Sequence, residues 1–482
     1  MEAELIRREL SYYKCVCVKT AVREETVEVI LPESIGDAES VIDAQATVFL
    51  RSKESEDGLA RLRGSIEGSV LLRNVDGRLC SLPFQSECRL EWTGEELKRE
   101  ALLCAEIRLY SVDSRILNPK KLLVSAELAG EIREWQEQKA SYISAVNGNG
   151  IEQKIEGRSI PFVSAVTEKA FAVTENFSLS EEQELISEVL LSRCESNVTE
   201  VHSVAGKLIM QGTTVLDILY IGDEGSVKSQ RFSTPWSQLI DITAEPESSL
   251  IRLMPTALYV DCINSGESVA LELHLTAQVI CTAVTELELL TDAYSTDYES
   301  ELSFGEISIL APSKADVSER VLQFSADIPD GEAETILHSY GEVGEKQNSV
   351  YKISVETLFL DNNGNLKCVK SECAMEAGEG EGKPILRELR ATINGNKLEN
   401  RVTLTPQVES EKNSLLRWVD GISLLEDRPI GKKNRPGLIA IRKKAVPVWD
   451  LAKKYGSTVA LIEKENETTE EKDTFLFIPR VR

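Results

Sequence analysis

The stretch from Val204 to Leu239 carries a pattern of hydrophobic and polar positions on which the rest of the chain plays variations. Val215, Leu216, Ile218, Leu219 and Tyr220 make a β-rich apolar run led in by Gly212. The run stops at Gly222-Asp223-Glu224-Gly225, where glycine permits the positive φ that a tight turn often needs. A more polar stretch then returns to Pro235-Trp236. This pattern predicts a β-hairpin with one buried face.

The pattern recurs. Residues 68–77 repeat it with a shorter turn, and Pro83-Phe84 stand where Pro235-Trp236 stand later. Residues 351–360 are a third such strand, with Asp361 to Gly364 as its turn and residues 365–373 as the return. Further strands are predicted at residues 10–19, 26–31, 44–51, 102–110, 122–132, 250–262, 268–284, 390–394 and 401–408. Residues 134–175 join the first group to the second, with Asn147 to Gly150 as a flexible turn or boundary. Ser180 with Gln183 three residues on fits a capping box. Leu185, Ile186, Val189 and Leu190 supply a helical stripe, so a helix is predicted over 181–191.

The same order thus occurs three times, at a period of roughly 130 to 150 residues, too long for a solenoid repeat. The expected fold is mainly β: three tandem antiparallel β-sandwich-like domains over residues 1–140, 160–295 and 300–425, the third more divergent. Their edge strands offer sites for self-association. The end of the chain differs in kind. Residues 428–444 are basic in an acidic protein, and a compact strand-helix-helix-strand (βααβ) unit closes the chain over 435–482. Trp449, Leu451, Ala452 and Tyr455 share one side of a short helix that Gly456 ends. Thr458 caps a second helix whose Leu461 and Ile462 face inward.

Composition narrows the function. The chain has 482 residues and a net charge of −26, which argues against nucleic acid as a partner. Its start lacks an apolar core of signal-peptide length and no stretch reaches the ~20 apolar residues of a membrane helix. The expectation is a protein without membrane insertion, on the cytosolic side. Ten scattered cysteines include no pair at metal-knuckle or redox spacing, and read as small buried hydrophobes. His202, His274 and His338 sit in unrelated contexts. No HExxH, GxxxxGK or GxSxG is present, and no carboxylate pair can be singled out, so neither an enzyme nor a cofactor is expected.

The terminal unit resembles a LysM domain through Trp449, Ala452, Lys453 to Tyr455, Thr458-Val459, Ile462, Asn466 and the closing Leu476 to Pro479. The three upstream groups resemble SPOCS domains, the repeats that precede LysM in spore-encasement proteins. The residues carrying that likeness are Gly212 to Tyr220, Pro235 to Ser237 and Leu117 to Lys121. The resemblance implies a non-enzymatic scaffold of spore coat morphogenesis, in the mother-cell cytoplasm at the forespore surface. In that family the LysM domain binds the coat-basement ATPase, stage IV sporulation protein A. One departure matters. LysM domains usually open with Gly-Asp-Thr, a loop that helps hold the acetamido group of N-acetylglucosamine. Here those positions read Ala445-Val446-Pro447, which removes backbone freedom and a polar group. A protein partner is therefore favoured over peptidoglycan. The candidate partner-binding residues are Val446, Pro447, Trp449, Lys453, Lys454, Tyr455 and Asn466, beside a basic rim that includes Lys443 and Lys444. For Trp449 and Tyr455 the competing role is core packing, and for the lysines a solvated face.

Overall fold

The computed structural model describes residues 4–242, 244–313, 319–329, 333–378, 383–405, 410–430, 437–442, 446–467 and 475–481. Within them the protein is mainly β, with antiparallel sheets throughout and two short helices near the end. The first strand group runs β1 (Glu4–Ile30), β2 (Ala38–Glu56), β3 (Leu59–Asn74), β4 (Leu79–Thr93), β5 (Leu102–Asn118) and β6 (Lys121–Asn147). The second runs β7 (Ile151–Ser178), β8 (Ile186–Val204), β9 (Lys207–Gly222), β10 (Val227–Asp241), β11 (Ser248–Ile263) and β12 (Ser268–Ser295). The third runs β13 (Tyr298–Ser313), β14 (Arg320–Asp327), β15 (Thr335–Gln347), β16 (Val350–Leu360), β17 (Leu366–Glu376), β18 (Ile385–Asn394), β19 (Lys397–Thr405) and β20 (Ser410–Pro429).

Each group has a three-stranded meander, namely β2-β3-β4, β8-β9-β10 and β15-β16-β17. Each also has long strands that pair with each other. β1 pairs with β6 along its whole length, and β7 with β12. In the third group the same course is split between β13-β20 and β14-β19. The first two long pairs join edge to edge at Tyr13 and Val163, giving the six-stranded order β11-β12-β7-β1-β6-β5. The segment expected to link the first two groups is therefore itself strand, turned back between β6 and β7 at residues 148–150.

The hairpin at the centre of the sequence forms as the alternation predicts. β9 buries every second residue over most of its length, and β10 returns against it with Trp236 opposite Gly212. The glycine is required there. A Cβ on Gly212 would sit 2.1 Å from the Trp236 ring and 2.4 Å from the Asn197 carbonyl. The Trp236 indole is held by its N–H, which donates to Ser196 Oγ at 2.9 Å. Gly212→Ala is expected to cost about 1–3 kcal/mol through this overlap, read as a lower urea midpoint with an unchanged slope.

The meander turns repeat one design. Gly77, Gly225 and Gly364 all have positive φ at the same place in their turns. Asn74 and Asp361 open two of these turns. Each accepts backbone N–H bonds two and four residues on, from Asp76 and Arg78 and from Asn363 and Asn365. Gly222 stands in that position in the second turn and has no such acceptor. Glu184 fills the space from outside and accepts from Ser226 Oγ at 2.7 Å.

One expected element is absent. Residues 181–185 form a turn and β8 begins at Ile186, where a helix was predicted. Half of the capping pair forms: the Ser180 N–H donates to Gln183 Oε1 at 2.9 Å, while the Gln183 N–H donates to the Ser180 backbone carbonyl at 3.0 Å. It closes a turn rather than a helix. β8 carries register shifts between Ile186 and Glu188 and between Val189 and Leu191. Each bulge adds a residue and breaks the two-residue period, so the stripe looks helical in sequence.

The cores follow the groups and then join them. In each group one apolar cluster takes residues from both the meander and the long strands. Three further clusters cross between groups: one brings Cys104 of β5 and Trp135 of β6 against Val163 and Val166 of β7 and Ile280 of β12, and two are larger. In one of the larger two, Tyr142 and Ile143 of β6 meet Leu287 and Leu289 of β12 and Leu416 and Trp418 of β20. In the other, Leu71 of β3, Leu219 of β9 and Leu358 of β16 meet, each three residues ahead of its turn. They are 0%, 3% and 0% exposed.

Candidate functional site

The candidate partner-binding residues sit on the terminal unit. It consists of β21 (Leu438–Arg442), α1 (Val448–Tyr455), α2 (Val459–Glu467) and β22 (Phe475–Pro479), with β21 antiparallel to β22. Gly456 at φ +66° ends α1, its N–H bonded to the Ala452 carbonyl. The Thr458 hydroxyl caps α2 by accepting the Leu461 N–H at 3.1 Å.

The structure separates the seven candidates into three kinds. Val446 and Pro447 lead into α1 and are exposed, Val446 by 40%. Lys454 is also exposed, its ammonium 5.5 Å from the Tyr455 ring centre, and Tyr455 packs half-buried against the unit's core. Asn466 is spent on structure. Its amide donates to the Ile462 and Phe477 carbonyls and accepts the Phe477 N–H, tying α2 to β22. Trp449 and Lys453 are turned toward the body. The Trp449 indole N–H donates to Asp292 Oδ2 at 2.8 Å, and the Lys453 ammonium lies 2.5 Å from Asp292 Oδ1. Lys443 and Lys444 lie outside the described residues.

The body residues that receive this unit come from the far end of β12. Tyr294 enters the unit's core among Leu451, Ala452, Ile462 and Ile478. Its hydroxyl donates to the Ser457 carbonyl at 2.7 Å, and its ring meets Trp449 edge-on at 5.1 Å between centres. Burial pushes the Tyr294 phenol well above its usual range. Asp292 and Tyr294 were not singled out from the sequence. They lie some 160 residues before their partners, and nothing in their local pattern marks a tertiary contact.

A second polar cluster lies where the first group meets the third. Asp43 of β2 is 3% exposed. It accepts the Tyr340 hydroxyl at 3.1 Å and the Gln45 amide at 2.9 Å, and it is hydrogen-bonded to Glu356 of β16. Lys370 of β17 lies 2.6 Å from Glu356 and 3.0 Å from Asp113 of β5. The Arg193 guanidinium stacks 4.7 Å from the Tyr340 ring centre and pairs with Glu195 at 2.9 Å. Burial raises the Asp43 carboxyl. Burial and then the Asp43 charge push Glu356 up to about 7. Burial lowers the neighbouring His338.

These groups border a cleft of about 720 Å³ lined by Asp113, Glu127, Glu342, Lys352 and Glu372 among others. Two carboxyls sharing a proton are chemically competent for acid–base work. Here Asp43 is sealed from solvent and its oxygens are engaged by Tyr340, Gln45 and Glu356, while Glu356 and Lys370 line the cleft. The arrangement fits a role in holding the groups together. Among the described residues no set of three His, Cys, Asp or Glu side chains is placed to hold a metal ion. The ten cysteines are free; Cys17, Cys80, Cys88, Cys104 and Cys281 are buried and Cys262 is exposed. No described helix is long and apolar enough to cross a membrane.

Residues 185–262 match the family model of the SipL SPOCS domain. The matched segment covers the meander β8-β9-β10 and almost all of β11. No curated protein and no solved structure matches the chain.

Proposed function

We propose that this protein is a non-enzymatic scaffold of spore coat assembly. Its three strand groups serve as tandem SPOCS-type sandwich domains over residues 1–140, 160–295 and 300–425, and residues 435–482 serve as a LysM-like docking unit. The observation that carries this is the SPOCS match at residues 185–262, a domain of sporulation proteins. The repeated meander turns at Gly77, Gly225 and Gly364 extend the same design to the flanking groups.

The docking partner in this proposal is a coat-basement ATPase of the stage IV sporulation protein A kind, met in the mother-cell cytoplasm at the forespore surface. The exposed Val446-Pro447 lead-in supports a protein partner over a sugar, since it supplies an apolar edge at the start of the helix that also carries the exposed Lys454. The test is capture of purified coat ATPase by the whole chain and by a chain ending at Ile430. Capture by the whole chain and its loss on truncation is the expected result; equal capture by both removes tail-mediated docking. Sedimentation with peptidoglycan is the companion assay. Retention of the whole chain in the pellet at moderate salt would replace the protein partner with a glycan.

A further inference from the structure

The terminal unit is not carried free of the body. Trp449 and Lys453 lie four residues apart on α1 and so point the same way. Both meet a single carboxylate: Asp292 Oδ2 accepts the indole N–H at 2.8 Å, and Asp292 Oδ1 faces the ammonium at 2.5 Å. An N–H and a fixed positive charge, one to each oxygen, suit an ionised carboxylate. A neutral acetamide would leave the ammonium unneutralised. The side chains of Lys453 and Asp292 remain 40% and 23% exposed, so the pair sits at the surface, where ion pairs are weak and exchangeable. Tyr294 is different. It is buried in the unit's core and bonded to the Ser457 carbonyl, so it anchors the unit independently of Asp292.

We propose that Trp449 and Lys453 form a carboxylate-binding fork, occupied within the chain by Asp292, and that an acidic side chain of the docking partner displaces Asp292. This rests on the terminal unit being a protein-docking unit. Displacement opens the fork while Tyr294 keeps the unit seated. The exposed Lys454 and the Val446-Pro447 edge beside the fork then add contacts that Asp292 does not make. A tethered competitor has a high effective concentration, so a single free carboxylate competes poorly and a run of acidic residues is the fitting partner.

The test uses the whole chain and a fluorescein-labelled hexapeptide of alternating glutamate and glycine, with a glutamine-glycine hexapeptide as control. Binding is followed by fluorescence anisotropy at low salt. Asp292→Asn keeps the side-chain volume and removes the competing charge. It is expected to bind the acidic peptide at least about tenfold more tightly than the parent. Adding Lys453→Met should erase that gain, and no chain should bind the control. Equal binding by parent and Asp292→Asn, or a gain that survives Lys453→Met, overturns the proposal. A second readout needs no variant: excess acidic peptide should shift the Trp449 indole N–H resonance of the parent, and an unmoved resonance also overturns it. A gain in peptide binding without a gain in ATPase capture leaves the fork standing and removes the ATPase as its partner.

Discussion

Replacing Leu219 by alanine is expected to destabilise the body as a whole by about 2–5 kcal/mol. Leu219 does not belong to the core of its own strand group. It packs with Leu190 and Leu191 of β8, with Leu71 of the first group and with Leu358 and Leu366 of the third. Every one of these is less than a tenth exposed, so the truncated side chain leaves a cavity that neighbours from three separate β-sheets must close. Leu71→Ala and Leu358→Ala should fall in the same range, because the three leucines hold equivalent places ahead of their turns. Urea unfolding followed by fluorescence and by far-ultraviolet dichroism is the check. Coincident curves shifted to lower urea are predicted. A variant that loses only the second group while the rest unfolds at the parental midpoint would show that the groups stand alone.

The second large effect is one of pH. Glu356 titrates at about 7 in the folded chain, against the ordinary glutamate value near 4.3 when unfolded. The folded state therefore holds a proton that the unfolded state releases. The sign follows from linkage. This contribution is fully present below about pH 4 and is lost as pH rises through 7, at up to about 3 kcal/mol. Once Glu356 ionises, Asp43 and Glu356 repel each other inside the joint between the first and third groups. Lys370 offsets part of that repulsion from 2.6 Å away. Glu356→Gln keeps the shape and an N–H to offer Asp43, and it cannot ionise. The variant should match the parent at pH 4, show a flatter stability profile, and exceed the parent by about 1–3 kcal/mol at pH 8.5. Parallel profiles for parent and variant would place the titration elsewhere.

How far the sequence speaks for this structure depends on the range of the contact. The hairpin from Gly212 to Trp236 was legible because its pattern is local: a period of two, a turn glycine, and an aromatic opposite a glycine. The terminal unit's two helices were legible for the same reason, through Gly456 and Thr458. β8 was misread because its bulges imitate a helical stripe. The turn at Asn147 to Gly150 was legible from its glycines, whereas the long pairing of β6 and β7 with their neighbours was not, because the joining segment carries no strong local alternation. Asp43 with Tyr340, and Asp292 with Trp449, were out of reach for another reason. Their partners lie 297 and 157 residues away, and single charged or aromatic positions carry no mark of such pairings. Of the seven candidate residues, the structure leaves Val446, Pro447 and Lys454 facing water and commits Asn466 to the unit's own backbone.

The three strand groups act as one body through the Leu71, Leu219 and Leu358 cluster. Hydrogen exchange followed by mass spectrometry under mild urea tests this most directly, using peptides that cover residues 66–72, 215–221 and 354–360. The prediction is that all three exchange in one cooperative event with a single opening free energy. Three separate openings, each with its own urea dependence, would contradict it.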